Sequence, residues 1–384
     1  MEETFDVIVV GAGIIGTCTA YHCQKIGLKT LLLEKFQLGH WNGSSHGKSR
    51  ITRYAHTDAP YIPIVDDAFK QIDDLERKRG EKLWKKTGLM WFGSPKEIEN
   101  ISDHLVKANL AHDVLDSNQM KAKFSQFDYD HSWKALFDPM GGVIFVEKWH
   151  EAFQDEFKKL GGLILENQAV SDFSESNGVT SVRTTTRVFH SKKLIFTVGT
   201  WLQSMIPEIT QMAQVRPERM AVTYWRPKDI KDVPKFTMDQ FPVFIVHNAE
   251  TGDDGYGLPC RDYPDAIKFC DHYGEPFNVW DGEKPPSPKN VSNPGEHLEK
   301  HIPLLDGTKP AYLDRCKYTM SIDKHYVIDF HPTNRNVLIG GCMSGSGFKV
   351  APGIGRVLAH MAAGKELPYD MSFFSLKRFE KSHL

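Results

Sequence analysis

The chain has 384 residues, 40% of them hydrophobic and 25% charged, with a net charge of −2. That length and apolar share support two domains with a substantial core, and Lys and Arg scattered along a near-neutral chain give no basic patch for nucleic acid. No stretch approaches the roughly 20 apolar residues of a membrane helix, and Met1-Glu2-Glu3 leads straight into an apolar run with no secretory leader, so a soluble, non-secreted protein is expected.

Val7 to Val10 is a β-branched run without charge and reads as a buried parallel strand. It enters Gly11-Ala12-Gly13-Ile14-Ile15-Gly16, a G-x-G-x-x-G motif. Gly11 suits the tight turn, Gly13 lets backbone approach a pyrophosphate, and Gly16 lets the next helix pack closely on the strand. The helix start then offers N–H groups and its positive dipole end to a phosphate. The following strand, Thr30 to Leu33, ends in Glu34, near the separation at which an acid accepts from a ribose hydroxyl and disfavours a 2′-phosphate. Strand, turn, helix, strand and acid in that order predict a dinucleotide site.

Residues Gly39 to Arg53 read as a polar loop rather than a continued strand, either solvated or laying backbone donors and two arginines along a ligand. From Tyr61 the residues Val65, Phe69, Ile72 and Leu75 recur at helical spacing up to Gly80. Leu89 to Phe92 reads as a strand, and Ser94 to about Ser132 as a helical insertion with Ile98, Ile101 and Leu105 on one face. A helix from about Lys148 ends at Gly161-Gly162, and strands follow at Leu163 to Glu166, Thr180 to Thr186 and Leu194 to Val198.

From about Pro217 to His301, aromatic, turn-broken sequence predicts an antiparallel sheet with an exposed proline-rich loop around Pro285 to Pro294. This is the natural substrate-binding part. The tail returns to nucleotide-domain style, with a buried strand at Asn336 to Gly340, a glycine-rich loop at Gly341 to Gly347 and an apolar helix at Gly353 to Ala363. Residues 1–88, 141–214 and 320–384 are therefore assigned to the nucleotide domain, and 89–140 and 215–319 to the substrate domain.

Cys18, Cys23, Cys260, Cys270, Cys316 and Cys342 show no C-x-x-C or zinc spacing, so free thiols in a reducing compartment, and no metal, are expected. Ser382-His383-Leu384 has the small, basic, leucine pattern of the S-K-L peroxisomal address, which predicts recognition by a peroxisomal import receptor.

With the glycine motif, the Gly43-Ser44-Ser45-His46-Gly47-Lys48-Ser49-Arg50 loop and Ser344-Gly345-Ser346-Gly347-Phe348-Lys349 in view, the chain resembles the monomeric sarcosine oxidase family of flavoproteins. Within it, peroxisomal sarcosine oxidases and L-pipecolate oxidases are nearest. The resemblance spans essentially the whole chain. It implies an α/β (α+β) two-domain architecture, with a Rossmann-like FAD-binding domain of glutathione-reductase type and a second, mainly antiparallel β-sheet domain. It also implies a monomer.

By that resemblance the cofactor is FAD, with Glu34 on the adenosine ribose, Val170 meeting the adenine edge through its backbone, and His46 and Arg50 against the flavin. Ser44, Gly345 and Gly347 belong to the same binding set. Arg53 and Lys349 match the pair that holds the substrate carboxylate, a task that suits the planar fork of an arginine. Cys316-Lys317-Tyr318-Thr319 resembles the family's C-x-Y-T, whose cysteine bonds covalently to the flavin, although a lone cysteine is otherwise a buried structural residue more often than not. Lys268 matches the lysine that promotes reaction with oxygen, where it would otherwise read as an edge-strand lysine. His272 and Tyr256 match residues flanking the bound amine and would look ordinary without the resemblance. Two departures stand out. Ser346 replaces a usual histidine, and one extra residue separates Tyr256 from Lys268.

The implied activity is oxidation of a secondary α-amino acid, of the sarcosine, L-pipecolate or L-proline type, to an imine, with O2 reduced to hydrogen peroxide. The rivals are a flavin dehydrogenase using another acceptor, an oxidase of a primary D-amino acid or glycated amine, and a non-catalytic FAD-binding protein.

Overall fold

The structure is a computed structural model that describes residues 4–282 and 284–383, without the side chains of 381–383. The targeting tripeptide Ser382-His383-Leu384 thus lies outside the described side chains, and Leu384 outside the described residues.

Strand β1 (Thr4–Val10) lies inside an eight-stranded sheet. Helix α1 (Ile14–Lys25) and strand β2 (Thr30–Leu33) follow it. The uncharged run Val7 to Val10 is buried because β1 is flanked on both sides in parallel: Val10 stands opposite Leu33 of β2 and opposite Phe196 of the strand Val188–Phe196. Parallel strands covered on both faces favour such uniformly apolar runs. Val337–Gly341 adds a further parallel strand, with Ile339 opposite Phe196, so chain segments far apart in sequence meet in one sheet.

The second sheet has nine strands. Its pairings are antiparallel except one: Leu89–Gly93 runs parallel to Val243–Asn248, with Leu89 opposite Val243. The strands Asp253–Pro259 and Ile267–Asp271 form a hairpin in it, and Arg216–Trp225 lies between Ile267–Asp271 and Tyr312–Met320. The predicted helix after Tyr61 is present as Ile62–Arg79, closed by Gly80 in the left-handed conformation with φ +65°.

Four expectations need correction. The stretch Gly39 to Arg53 is not all loop: strand β3 (Ser49–Thr52) pairs antiparallel with Gly142–Phe145 in a small three-stranded sheet, too short to announce itself by periodicity. The insertion after Ser94 contains helices Pro95–Lys107 and Ser117–Lys123, but also the strand Asp113–Leu115 between them. The strand predicted from Leu194 begins earlier, at Val188.

The largest difference is the proline-rich loop. Residues Pro288–His301 form a helix, with Ser287 accepting from the Asn290 N–H at its start and Pro294 buried inside it. Pro288 is tolerated in the first turn, where its N–H would be unpaired anyway. Gly295 permits the close crossing that follows, since a Cβ there would lie 2.1 Å from the Gly307 carbonyl oxygen. Tertiary packing of Leu298, His297 and His301 overrides a local sequence that looks like a turn.

The hairpin strand Ile267–Asp271 ends on a carboxyl with an altered titration. Burial pushes the pKa of Asp271 up to about 7, which the hydrogen bond from Asn293 only partly offsets. A raised folded pKa means stability that is complete below the ordinary carboxylate range and is lost as pH rises through about 7. Asp271→Asn is therefore expected to remove roughly 2 kcal/mol of stability loss between about pH 5 and 8, after discounting for solvent screening. Calorimetric melting of both proteins across that range checks it. Asp253, held down at about 2 first by its hydrogen bond from His297, contributes a constant amount over the same window.

Candidate active site

One cavity of about 950 Å³ runs from the β1–α1 turn to the second sheet. At its first end Gly11 has φ +98°, and a Cβ there would lie 2.7 Å from the Thr197 carbonyl oxygen. Gly16 does not line the cavity. It stands behind the turn, where a Cβ would fall 1.8 Å from the Gly11 carbonyl oxygen, so α1 can approach β1 only with glycine at that position. Gly13 caps α1 without a side-chain cap, the first helical turn carries no acid, and the Ile14 N–H is met by the Ser45 hydroxyl at 3.0 Å. A helix start with no acid in its first turn, opening on a cavity, fits a pyrophosphate.

Glu34, 5% exposed, follows β2. One carboxylate oxygen accepts from the Ala12 N–H at 2.8 Å, and the other from the Phe36 N–H at 3.0 Å and the His40 ring at 3.1 Å. Burial opposes ionisation, but those three bonds outweigh it and hold the carboxyl below its usual range. A carboxylate has about four lone-pair sites, so one remains for a ribose hydroxyl. Val170, at the start of the strand Val170–Ser176, lines the same end.

The loop after Glu34 forms the middle of the cavity. Arg50 on β3 donates to the carbonyls of Ser44 (3.1 Å), His46 (2.8 Å) and Ser49 (2.9 Å), which bends the loop around its guanidinium. The Ser44 hydroxyl donates to the Lys317 carbonyl at 2.6 Å, tying the loop to the strand Tyr312–Met320. That strand carries Cys316, whose Sγ lies 3.9 Å from Arg50. His46 is held neutral, its pKa pushed down to about 3 by burial and then by Arg50 and Lys268. Its Nδ1 is buried without a hydrogen-bond partner, an orphaned polar atom that fits a polar group in the cavity.

The far end gathers the remaining candidates. Arg53 donates to the Ala55 carbonyl at 2.6 Å and lies 4.8 Å over the Trp91 ring, with burial lowering its pKa to about 10. Lys349, 3% exposed, donates to the Ser346 carbonyl at 2.9 Å, and burial followed by the charge of Arg53 pushes its pKa well down. Neither cation has an ion-pair partner among the described residues. Tyr256 on the strand Asp253–Pro259 and His272 just after Ile267–Asp271 face each other edge-on, with ring centroids 6.4 Å apart. Burial lowers the His272 pKa and raises that of Tyr256.

Gly345 has φ +79°, and a Cβ there would also meet the Tyr318 ring at 2.5 Å and His272 at 3.0 Å. Gly347 also lines the cavity, and a Cβ there would press on Met343 at 2.5 Å. Lys268 on Ile267–Asp271 points to the Ser49 carbonyl at 3.3 Å and the Asp262 carboxylate at 3.4 Å. Every candidate residue other than Gly16 therefore lines one cavity.

Sequence reasoning missed several lining residues. Tyr318 shares a strand face with Cys316, two positions on, and that alternation was the available signal. His56 is buried and stacks on Tyr61 at 4.6 Å, with its Nε2 unpartnered. Ser346, the departure from the usual histidine, shares a 2.6 Å hydrogen bond with the Tyr326 hydroxyl. His40 and Asp262 carried no signal, because their partners are set by the fold.

Comparison with known proteins agrees with this geometry. The family model described as FAD dependent oxidoreductase matches residues 6–361. The chain is 48% identical to the "Putative sarcosine oxidase" of Caenorhabditis elegans, over all of both chains. It is 32% identical to the peroxisomal sarcosine oxidase of Homo sapiens, over all of this chain and 99% of that one. Among solved structures, L-proline dehydrogenase from P. horikoshii superposes with a TM-score of 0.83 over all of both chains, at 18% identity.

Proposed function

This chain belongs to the FAD-dependent oxidoreductase family and groups with its sarcosine oxidases, and from that premise we propose that it oxidises the C–N bond of a secondary α-amino acid, of the sarcosine, L-pipecolate or L-proline type, with O2 as acceptor. The observation that carries this reading is the pair Arg53 and Lys349, a half-buried guanidinium and a buried lysine at one end of the cavity with no ion-pair partner among the described residues. Buried charge wants a counter-charge, and a substrate carboxylate supplies it.

The turn at Gly11 and Gly13, the Glu34 carboxylate, Ser44, His46, Arg50 and Val170 would hold FAD along the cavity. Bound FAD supplies a two-electron acceptor for the hydrogen on the carbon next to nitrogen and hands the electrons on to oxygen. The protein's own part is positional. Arg53 and Lys349 fix the carboxylate, so the amine end of the substrate falls between Tyr256, His272 and Tyr318. Two cations and apolar walls disfavour an ammonium there, which leaves the nitrogen lone pair free. Lys268, fixed at the junction of β3 and the hairpin, places a positive charge where oxygen gains negative charge.

Cys316 is proposed as the covalent anchor of the cofactor. Its Sγ lies beside Arg50, where a thiol facing the flavin would stand. Acid precipitation is expected to leave the flavin on the wild-type protein and to release it from Cys316→Ala. Release from both would remove the anchor. The peroxisome is the proposed location, supported by likeness to a peroxisomal sarcosine oxidase and by Ser382-His383-Leu384, which an import receptor would read.

The test of the activity is peroxide release with sarcosine, L-pipecolate, L-proline, larger N-methyl amino acids and primary amino acids. Turnover confined to secondary amines supports the proposal. Loss of visible flavin absorbance under nitrogen without peroxide in air would make the protein a dehydrogenase. A yellow protein unaffected by any amine would be a non-catalytic flavin binder.

A further inference from the structure

Asp262 sits in the connection between the hairpin strands Asp253–Pro259 and Ile267–Asp271, and its two carboxylate oxygens have different tasks. Oδ1 accepts from the Lys48 N–H at 2.9 Å, which anchors the loop that carries Ser44 and His46. Oδ2 lies 3.4 Å from the Lys268 ammonium. Both side chains are almost fully enclosed, at 7% and 4% exposure. Among the described residues Lys268 has one other hydrogen-bond acceptor, the Ser49 carbonyl.

We propose that Asp262 is a positioning residue that keeps Lys268 charged and fixed in the cavity. The inference rests on the proposed oxygen role of Lys268. Its surroundings explain the need. From the loop come His46 and, on β3, Arg50; from Arg216–Trp225 comes the Tyr224 ring, 5.2 Å from the ammonium; from the hairpin itself come the Cys260 and Cys270 thiols. Asp262 is the one carboxylate among these groups. Burial pushes its pKa up, but Lys268 and then the Lys48 N–H and the Ser49 hydroxyl more than cancel that, so it is present as the anion. A buried ammonium stripped of its anion sheds its proton more readily. With it goes the charge that oxygen meets.

Asp262→Asn separates the two tasks, because its amide oxygen can still accept from Lys48 while the charge is gone. In the holoenzyme, anaerobic reduction by substrate is expected to stay within about threefold of wild type. The rate constant for oxygen, kcat/KM, should fall below that of wild type by a margin that widens to at least tenfold as pH rises. A second readout does not depend on turnover: melting temperatures of wild type, Asp262→Asn, Lys268→Met and the double variant should be non-additive, since the groups are in contact.

A wild-type pH profile for Asp262→Asn, with Lys268→Met slow toward oxygen, would overturn the inference and leave the function standing. An unchanged oxygen rate in Lys268→Met would instead overturn the role of the lysine on which the inference rests. Additive melting losses would overturn the pairing itself.

Discussion

Lys268→Met is expected to slow the reaction with oxygen by two to three orders of magnitude while leaving anaerobic reduction by substrate within a few fold of wild type. Methionine matches the length and flexibility of the lysine stem, so the core between Tyr224 and Leu258, the residues opposite position 268 in the sheet, stays filled. What disappears is a fixed positive charge, 3% exposed, in a site where little water can replace it. Removing one preorganised group that stabilises developing charge costs about 10² to 10³ in rate. Under the proposed function substrate oxidation makes no demand on that charge, because the carboxylate would be met at Arg53 and Lys349. Stopped-flow measurement of the two half-reactions checks this. Equal loss in both would show that position 268 serves only the packing of the sheet.

The contrast between Lys268 and Asp262 shows how much the sequence could disclose. The β1–α1–β2 unit was readable because its logic is local: an uncharged strand, three glycines and one acid within about 30 residues specify a turn, a helix start and a buried carboxylate beside them. Arg53, Lys268, His272 and Lys349 could be picked out only by resemblance, since none has a local pattern that separates it from an ordinary charged or polar residue. Asp262 was invisible even so. Its loop partner Lys48 is 214 residues away in the chain, and only the packing of the small sheet on the hairpin brings them together. The misread helix Pro288–His301 has a related cause. Two prolines and a glycine looked like a turn, yet a crossing at Gly295 and burial of Leu298 decide the conformation.

Arg53→Met is expected to lower kcat/KM for the amino acid by about 10² to 10³, in line with removing one partner of a buried, hydrogen-bonded charge pair at roughly 3–4 kcal/mol. A second consequence concerns Lys349. Its pKa is pushed well down, first by burial and then by Arg53. A bound carboxylate favours the ammonium, so binding takes up a proton wherever Lys349 was neutral. Affinity for a carboxylate without an amine, such as propionate, should therefore fall as pH rises through the free-enzyme pKa of Lys349. Without Arg53 that pKa moves up, and the loss of affinity should begin at higher pH although overall binding is weaker. Arg53 itself, whose pKa remains at about 10, adds no titration at neutral pH. His56 and His272 are pushed down as well, chiefly by burial, so neither adds a charge at neutral pH. Titration calorimetry in two buffers of different ionisation enthalpy counts the proton directly. A wild-type protein that binds propionate with no proton uptake at any pH, and an Arg53→Met variant with the same pH profile, would show that the two cations do not share the carboxylate.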